Sequence, residues 1–181
     1  MRIIKNRYLY MKITEEQKQS LEKIYQAFLN DEKIIRMKNI SMHRGSNCYI
    51  HSFRVAKRAI KRALGSSRKN INLELVLLGA ILHDYYLYDW REDKSKLHGH
   101  GKNHPYIASE NAEKDFDIPI EVKKIIKSHM WPINFSEYPK TREAKIVSIA
   151  DKIVSFKEAL TSIKFKAKRK DRDLEYIKSL F

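Results

Sequence analysis

The sequence predicts an all-α fold, because turn-forming residues are scarce and apolar residues recur at helical spacing. Among 181 residues only 5 are glycine and 4 are proline, too few for the frequent tight turns of an all-β sandwich or barrel. Hydrophobic residues make up 43% of the chain, enough for one core in a chain of this length. We therefore expect a single helical domain over residues 1–181, organised as a bundle.

Two helices are predicted in the first third of the chain. Thr14 and Gln17 have the spacing of a capping box, and they begin an N-terminal helix that we place over residues 14–38. Its apolar residues recur every three or four positions, at Leu21, Ile24, Tyr25, Phe28 and Leu29. After a polar, glycine-containing stretch, a second helix is predicted over about 48–64, ending before Gly65.

Four further helices are predicted from caps and prolines. Asn72 caps a helix from Leu73 to about Tyr86. The segment from Asp89 to Asn103 is polar and irregular, and it is predicted to be a loop. Proline at the first helical position loses no hydrogen bond, so two helices are predicted from Pro105 to about Phe116 and from Pro119 to about Met130. The apolar pattern predicts a last helix from Thr141 to about Ile163. A basic tail, 164–181, follows.

Histidines and aspartates occupy helix faces that the spacing makes apolar. His83 lies on the same face as Val76 and Ala80. The same spacing places His51, Asp84, His129 and Asp151 on the apolar faces of their helices. Burying an unpaired carboxylate costs several kcal/mol, and a cation bound by imidazoles and carboxylates compensates that cost. Any one of these residues alone is more often a hydrogen-bonded core residue than a ligand, but several on four helices favour a metal site.

These residues resemble the HD-domain superfamily of metal-dependent phosphohydrolases. The match consists of an ordered set, His51 in HSFRVAKRA, His83-Asp84 in LLGAILHDYY and Asp151 in IVSIADKI, and it covers a metal-binding core of about 47–160. His104 in HPYIASENA and His129 in IIKSHMWP match the dinuclear branches. The resemblance implies a helical bundle in which Asp84 bridges two metals. One metal would be held by His51, His83 and Asp151, the other by His104 and His129.

Two features of the match leave the site and the substrate open. His98 and His100 are alternative ligands to His104, which we prefer because it lies at a predicted helix start. Aromatic residues follow the His-Asp pair where cyclic-dinucleotide phosphodiesterases carry Gly-Lys, and no Gly-Tyr-Pro triplet is present. The sequence therefore resembles a less characterised bacterial group, and no substrate follows from the resemblance.

The expected chemistry is hydrolysis of a nucleotide or another small phosphate ester or anhydride. Imidazole and carboxylate ligands suit two divalent ions of iron, manganese, cobalt, zinc or nickel, and such a pair would activate a bridging hydroxide. Asp84, Arg54 and Lys102 are the candidate catalytic residues; Arg54, one turn after His51, and Lys102 would neutralise phosphate. Tyr85, Tyr86, Trp90 and Trp131 would either stack on a nucleobase or belong to the core.

Two alternative functions remain open. One is a mixed-valent diiron oxygenase with the same six ligands, and the other is a non-catalytic nucleic-acid or nucleotide-binding protein.

The charge favours anionic partners. The formal net charge is +15, and residues 54–69 contain seven cations and no acid. Such a surface either tracks a nucleic-acid backbone or is simply solvated, and the sequence favours neither. No apolar run is long enough for a membrane span, and the single cysteine, Cys48, indicates a reducing compartment. We therefore expect a cytoplasmic protein without a membrane partner.

Overall fold

The fold of the described residues is all α-helical, as predicted. The computed structural model describes residues 13–42, 46–66, 70–89 and 99–161. Its helices are α1 Glu15–Asn30, α2 Glu32–Ile35, a 3-10 helix Arg36–Asn39, α3 Cys48–Leu64, α4 Leu73–Leu82, α5 His100–Phe116, α6 Ile120–Ser128 and α7 Arg142–Thr161. In these ranges the only strand-like pairing is an isolated bridge between Ser41 and Asn47. None of the described helices combines the length and the apolar character needed to cross a bilayer.

The predicted helix starts at Thr14 and Asn72 are confirmed. Thr14 Oγ1 accepts a hydrogen bond from the Gln17 backbone N–H at 3.1 Å, and the Gln17 side chain accepts one from the Thr14 N–H at 3.0 Å. Asn72 Oδ1 accepts from the N–H groups of Glu74 and Leu75. Asn47 begins α3 in the same way, accepting from Ile50 at 2.9 Å. These side chains satisfy donors that the first helical turn leaves without partners.

The N-terminal helix is shorter than the predicted 14–38. It ends at Asn30, because Asp31 adopts extended backbone angles and its carboxylate accepts from the N–H groups of Lys33 and Ile34. Asp31 thereby caps a separate short helix, α2, which passes into the 3-10 helix. Aspartate is among the strongest N-capping residues, and a continuous apolar pattern across residue 31 concealed this break.

Helix α5 begins at His100 and not at Pro105 as predicted. Gly99 adopts a left-handed φ of +88°, which glycine reaches without steric cost. Its carbonyl accepts from the N–H groups of Lys102 and Asn103, so the first turn forms before the proline. Pro105 therefore lies inside the helix. The tail 164–181 and most of the predicted loop, residues 90–98, lie outside the described residues.

Helix α4 lies at the centre of the bundle. It packs against α1, α3, α6 and α7, and almost all of its length is apolar, which is typical of a helix covered on every side. Gly79 permits the close approach of α6: a Cβ built on Gly79 would lie 2.5 Å from Cγ2 of Ile125. Helices α3 and α7 pack on α4 and on each other, and α5 packs on α6. The centre of the bundle is thus reached by side chains from several helices.

Candidate metal centre

The structure brings all six predicted metal ligands together in the interior. They come from five helices or their ends: His51 from α3, His83 and Asp84 from the end of α4, His104 from α5, His129 from the end of α6 and Asp151 from α7. Each is at most 7% exposed. Their donor atoms form three overlapping groups that could each hold a metal ion, within 4.8 Å of one another in each group.

Asp84 lies between two pairs of histidines. Its Oδ2 is 3.3 Å from Nε2 of His83 and 3.7 Å from Nε2 of His51. Its Oδ1 is 3.3 Å from Nε2 of His104 and 3.5 Å from Nε2 of His129. The two oxygens of one carboxylate therefore face different ligand sets.

Asp151 lies on the side of the first pair. Its Oδ1 is 3.2 Å from Nε2 of His51 and 3.7 Å from Nε2 of His83. The group that contains Oδ2 of Asp84 thus has two imidazoles and a second carboxylate. The group that contains Oδ1 has two imidazoles. His83, His129 and Asp151 also form one of the three groups, so the two sides overlap. The assignment of the ligands to two metals that the family resemblance implied stays a prediction.

Three of the imidazoles are oriented by backbone carbonyl groups. Nδ1 of His83, His104 and His129 donates at 2.7–2.8 Å to the carbonyl oxygens of Ala80, His100 and Ile126, respectively. A carbonyl oxygen only accepts, so Nδ1 carries a proton in each ring and Nε2 is the nitrogen that faces the cluster. Metal-ligating histidines are usually oriented in this manner.

Helix ends supply two of these carbonyls. His83 and His129 each follow the last residue of a helix, α4 and α6. The final carbonyls of a helix have no intrahelical donor, so each imidazole bonds to the carbonyl three residues before it. The sequence predicted that α4 would continue to about Tyr86. It ends at Leu82 instead, and His83 and Asp84 lie in the turn that follows.

The arrangement of Nε2 atoms fits a cation. Nε2 of His104 lies 3.0 Å from Nε2 of His129, and two lone pairs at this distance repel unless a proton or a cation lies between or beside them. Nε2 of His83 is buried and makes no hydrogen bond. A buried acceptor without a partner is unfavourable, and metal coordination would satisfy it. The donor set of nitrogen and oxygen atoms suits a divalent transition metal.

The carboxylates attract positive charge into the cluster. Burial lowers the pKa of His51, but hydrogen bonds to Asp151 and Glu158 and their negative charges outweigh burial and raise it to about 9. Burial raises the pKa of Asp84, yet His83 and His104 hold it well below its usual range. Burial lowers the pKa of His129 to about 3, together with the positive charge of its histidine neighbours. Protons and cations therefore compete for the same positions.

Glu158 is a buried carboxylate that the sequence analysis missed. It is 7% exposed, its Oε2 accepts from Nδ1 of His51 at 2.9 Å, and its Oε1 accepts from Arg54 at 2.9 Å. A carboxylate on the far nitrogen of a ligating histidine fixes the ring and raises its basicity. Glu158 lies seven residues after Asp151, so helical spacing placed it on the same face of α7.

The candidate phosphate-binding cations occupy different surroundings. Arg54 lies beside the cluster and forms an ion pair with Glu158. Lys102 is exposed on the first turn of α5, two residues before His104. A third cation, Lys152, donates from its Nζ to the His129 carbonyl at 2.8 Å and therefore supports the end of α6.

The structure also places the alternative ligands and the aromatic candidates. His100 lies outside the ligand cluster: its Nδ1 bonds with the hydroxyl of Tyr88 at 2.9 Å, and its ring stacks on His104. Tyr85 and Tyr86 are buried core residues, 0% and 2% exposed, so they present no face to a nucleobase. His98 and Trp90 lie outside the described residues, and the ring of Trp131 packs on Tyr138.

Comparison with known proteins identifies the family. A family model described as the HD domain matches residues 48–155, more than half of the chain and a range that contains all six clustered ligands. The chain therefore belongs to the HD domain family, whose members are typically metal-dependent phosphohydrolases. Comparisons with curated proteins and with solved structures gave no significant match.

Proposed function

We propose that this protein hydrolyses a nucleotide or another small phosphate ester or anhydride with the help of two divalent transition metal ions. The observation that carries the proposal is the position of Asp84, whose two oxygens face separate pairs of buried imidazoles at 3.3–3.7 Å. A carboxylate in this position is suited to bridging two cations. Membership of the HD domain family supports the same reaction class.

The residues divide into two ligand sets. Oδ2 of Asp84 and Asp151 would hold one ion together with His51 and His83. Oδ1 of Asp84 would hold the other with His104 and His129. Two such ions supply a nucleophilic water at neutral pH and stabilise charge on a phosphoryl oxygen. The protein orients the imidazoles through their Nδ1 atoms. The packed interior shields the ligands from solvent, since each is at most 7% exposed.

Positive side chains would position the phosphate. Arg54 is held beside the cluster by Glu158, and a guanidinium group presents several donors suited to phosphate oxygens. Lys102 is exposed near His104 and would attract the substrate to the second ligand set. When the metal ions are bound, they and these two cations would together offset negative charge on a substrate with one or more phosphates.

Metal content and phosphate release test the proposal together. We expect about two transition metal ions per chain after reconstitution, and phosphate release from at least one of a panel of nucleoside mono-, di- and triphosphates. Asp84→Ala should lose both properties while retaining a helical circular dichroism spectrum. Glu110→Ala, at an exposed position of α5, is the matched control and should retain both.

Two outcomes would contradict the proposal. Fewer than one metal ion per chain after reconstitution would exclude a dinuclear centre. Oxygen consumption by the iron-loaded protein, without phosphate release under anaerobic conditions, would indicate the diiron oxygenase chemistry instead.

A further inference from the structure

A basic cavity lies between α3 and α7, outside the metal centre. Its volume is about 850 Å³, within the range of small-molecule sites. Five cations and three isoleucines line it, together with Gly65 and Ser66: Arg58, Lys61, Arg62, Arg142, Lys145, Ile71, Ile146 and Ile149. None of the described residues that line it is acidic.

Helical spacing explains how the cations face one cavity. Arg58, Arg62 and Gly65 follow one another at steps of four and three residues along the C-terminal half of α3, so they share a face. Arg142, Lys145 and Ile149 do the same along the first half of α7. Because α3 packs against α7, the two rows line one cavity, and isoleucine side chains are part of the same lining.

The described residues that line this cavity concentrate positive charge, with no carboxylate among them. Arg58 is half-buried and Arg62 is exposed, while Nζ of Lys145 lies over the ring of Tyr138 at 5.4 Å. Like charges gathered in one concave site repel one another, and concave walls of low dielectric strengthen their field. An anion bound there would relieve the repulsion, and three arginines offer planar donor groups suited to phosphate oxygens.

The cavity is separate from the metal centre. Arg58 follows His51 by two helical turns, about 10 Å along α3, and Arg62 and Gly65 lie further along the helix. None of the described residues that line the cavity is a candidate metal ligand. Whatever binds there is therefore distinct from a substrate phosphate at Asp84.

We propose that this cavity is a second binding site for a ligand with several adjacent phosphate groups, such as a nucleoside triphosphate or inorganic polyphosphate. The five cations would hold the phosphates, and the isoleucines would contact a base or sugar if one is present. None of the described residues that line the cavity is aromatic, so this part of the chain offers no stacking platform of the kind with which proteins hold single-stranded nucleic acids. The size of this open cavity and its described lining favour a small ligand over a polynucleotide.

Calorimetric titration of the full-length protein with tripolyphosphate, ATP and a single-stranded RNA 20-mer tests the proposal. Arg58→Gln/Arg62→Gln removes two charges from the cavity. Because Arg58 is half-buried, Arg62→Gln alone, which changes only an exposed residue, is the second variant in case the double variant does not fold. Lys23→Gln/Lys124→Gln removes two charges from exposed positions outside it and is the matched control. Asp84→Asn serves to identify binding at the metal centre.

We expect tripolyphosphate to bind, with the Arg58/Arg62 double variant weakening it roughly tenfold or more and the control and Asp84→Asn changing it less than twofold. A contribution from the isoleucines would make ATP bind more tightly than tripolyphosphate, and equal affinity would assign the site to the phosphates alone. Three outcomes would each overturn the proposal. They are an equal loss of tripolyphosphate affinity in both double variants, tripolyphosphate binding that depends on Asp84, and binding of RNA alone. Because these readouts do not require turnover, they remain decisive if the hydrolase proposal fails.

Discussion

At the scale of single residues, the orientation of the candidate ligands comes from groups that would touch no metal. The imidazoles of His83, His104 and His129 are fixed by backbone carbonyls, whereas His51 is fixed by the carboxylate of Glu158. Backbone carbonyls cannot be removed by substitution, but a side chain can. Glu158 is therefore the residue at which the contribution of orientation is measurable.

Glu158→Gln should weaken metal binding without unfolding the protein. Glutamine keeps an acceptor for Nδ1 of His51 but removes the charge and the ion pair with Arg54. Loss of such an outer partner typically lowers metal affinity about 10- to 100-fold. Competition with a chromophoric chelator measures the change. Glu110→Gln, at an exposed position, should bind metal like the unmodified protein, and unchanged affinity in Glu158→Gln would show that this carboxylate does not tune His51.

At the scale of secondary structure elements, helix ends and one close helix contact position the cluster. Helices α4 and α6 both end immediately before a candidate ligand, so the distance between these helices affects the distance between His83 and His129. Gly79 sets this contact, since it faces Ile125 without a side chain. The contact is therefore expected to control both stability and metal affinity.

Gly79→Ala should destabilise the protein by about 1–3 kcal/mol, the range for overpacked cores. Alanine favours the helix by up to about 1 kcal/mol, but its Cβ would lie 2.5 Å from the branched carbon of Ile125, so α4 and α6 must separate. At Gly101 a Cβ would lie 3.9 Å from side-chain atoms of Ile133 and Met130, an ordinary contact, so Gly101→Ala should be neutral or stabilising. Urea denaturation measures both variants.

A double-mutant cycle assigns the effect to the helix contact. Ile125→Ala removes the obstructing atoms at a cost of its own, so the double variant Gly79→Ala/Ile125→Ala should be more stable than the sum of the two single effects predicts. Additive effects would mean that Gly79 does not set the approach of α6.

At the scale of the whole molecule, the bundle buries a cluster of charge that a cation would stabilise. Asp84, Asp151 and Glu158 are each at most 7% exposed, and the desolvation of carboxylates is costly unless opposite charge compensates it. A cation bound only by the folded state also shifts the folding equilibrium. Metal binding and global stability should therefore be coupled.

Addition of Mn²⁺ at about 100 times its dissociation constant should stabilise the folded protein by roughly 2.7 kcal/mol. At one fixed Mn²⁺ concentration, set to about 100 times the dissociation constant at pH 8, the gain should be smaller at pH 6 than at pH 8. The pKa of His51 is raised to about 9, so a cation must displace a proton, and affinity falls roughly tenfold per pH unit for each proton displaced. Thermal melts with and without Mn²⁺ at both pH values measure the stabilisation. Asp84→Ala should show no stabilisation by Mn²⁺. A stabilisation that does not depend on pH would contradict the competition between the metal and the proton.

The sequence predicted the helical class and the inward positions of His51, His83, Asp84, His129 and Asp151, because both depend on local spacing. His104 became a candidate ligand through the family resemblance. Capping residues such as Thr14 and Asn72 mark helix starts by bonds within one turn, and polar residues on apolar faces mark positions such as His51 and Asp151. Helix ends were predicted less well. Asp31 interrupts the N-terminal helix without interrupting its apolar pattern, and α4 ends before His83 although its apolar character continues.

By itself, the sequence determined that this protein is an α-helical HD-domain chain with histidines and aspartates on its inward faces. Only the tertiary structure decided which atoms of those residues meet, that Glu158 supports His51, and that cations on α3 and α7 share one cavity. The physical reason is separation along the sequence. Helical periodicity is a property of neighbouring residues. The distance between Nε2 of His104 and Nε2 of His129, or between Arg58 and Arg142, depends on how separate helices pack.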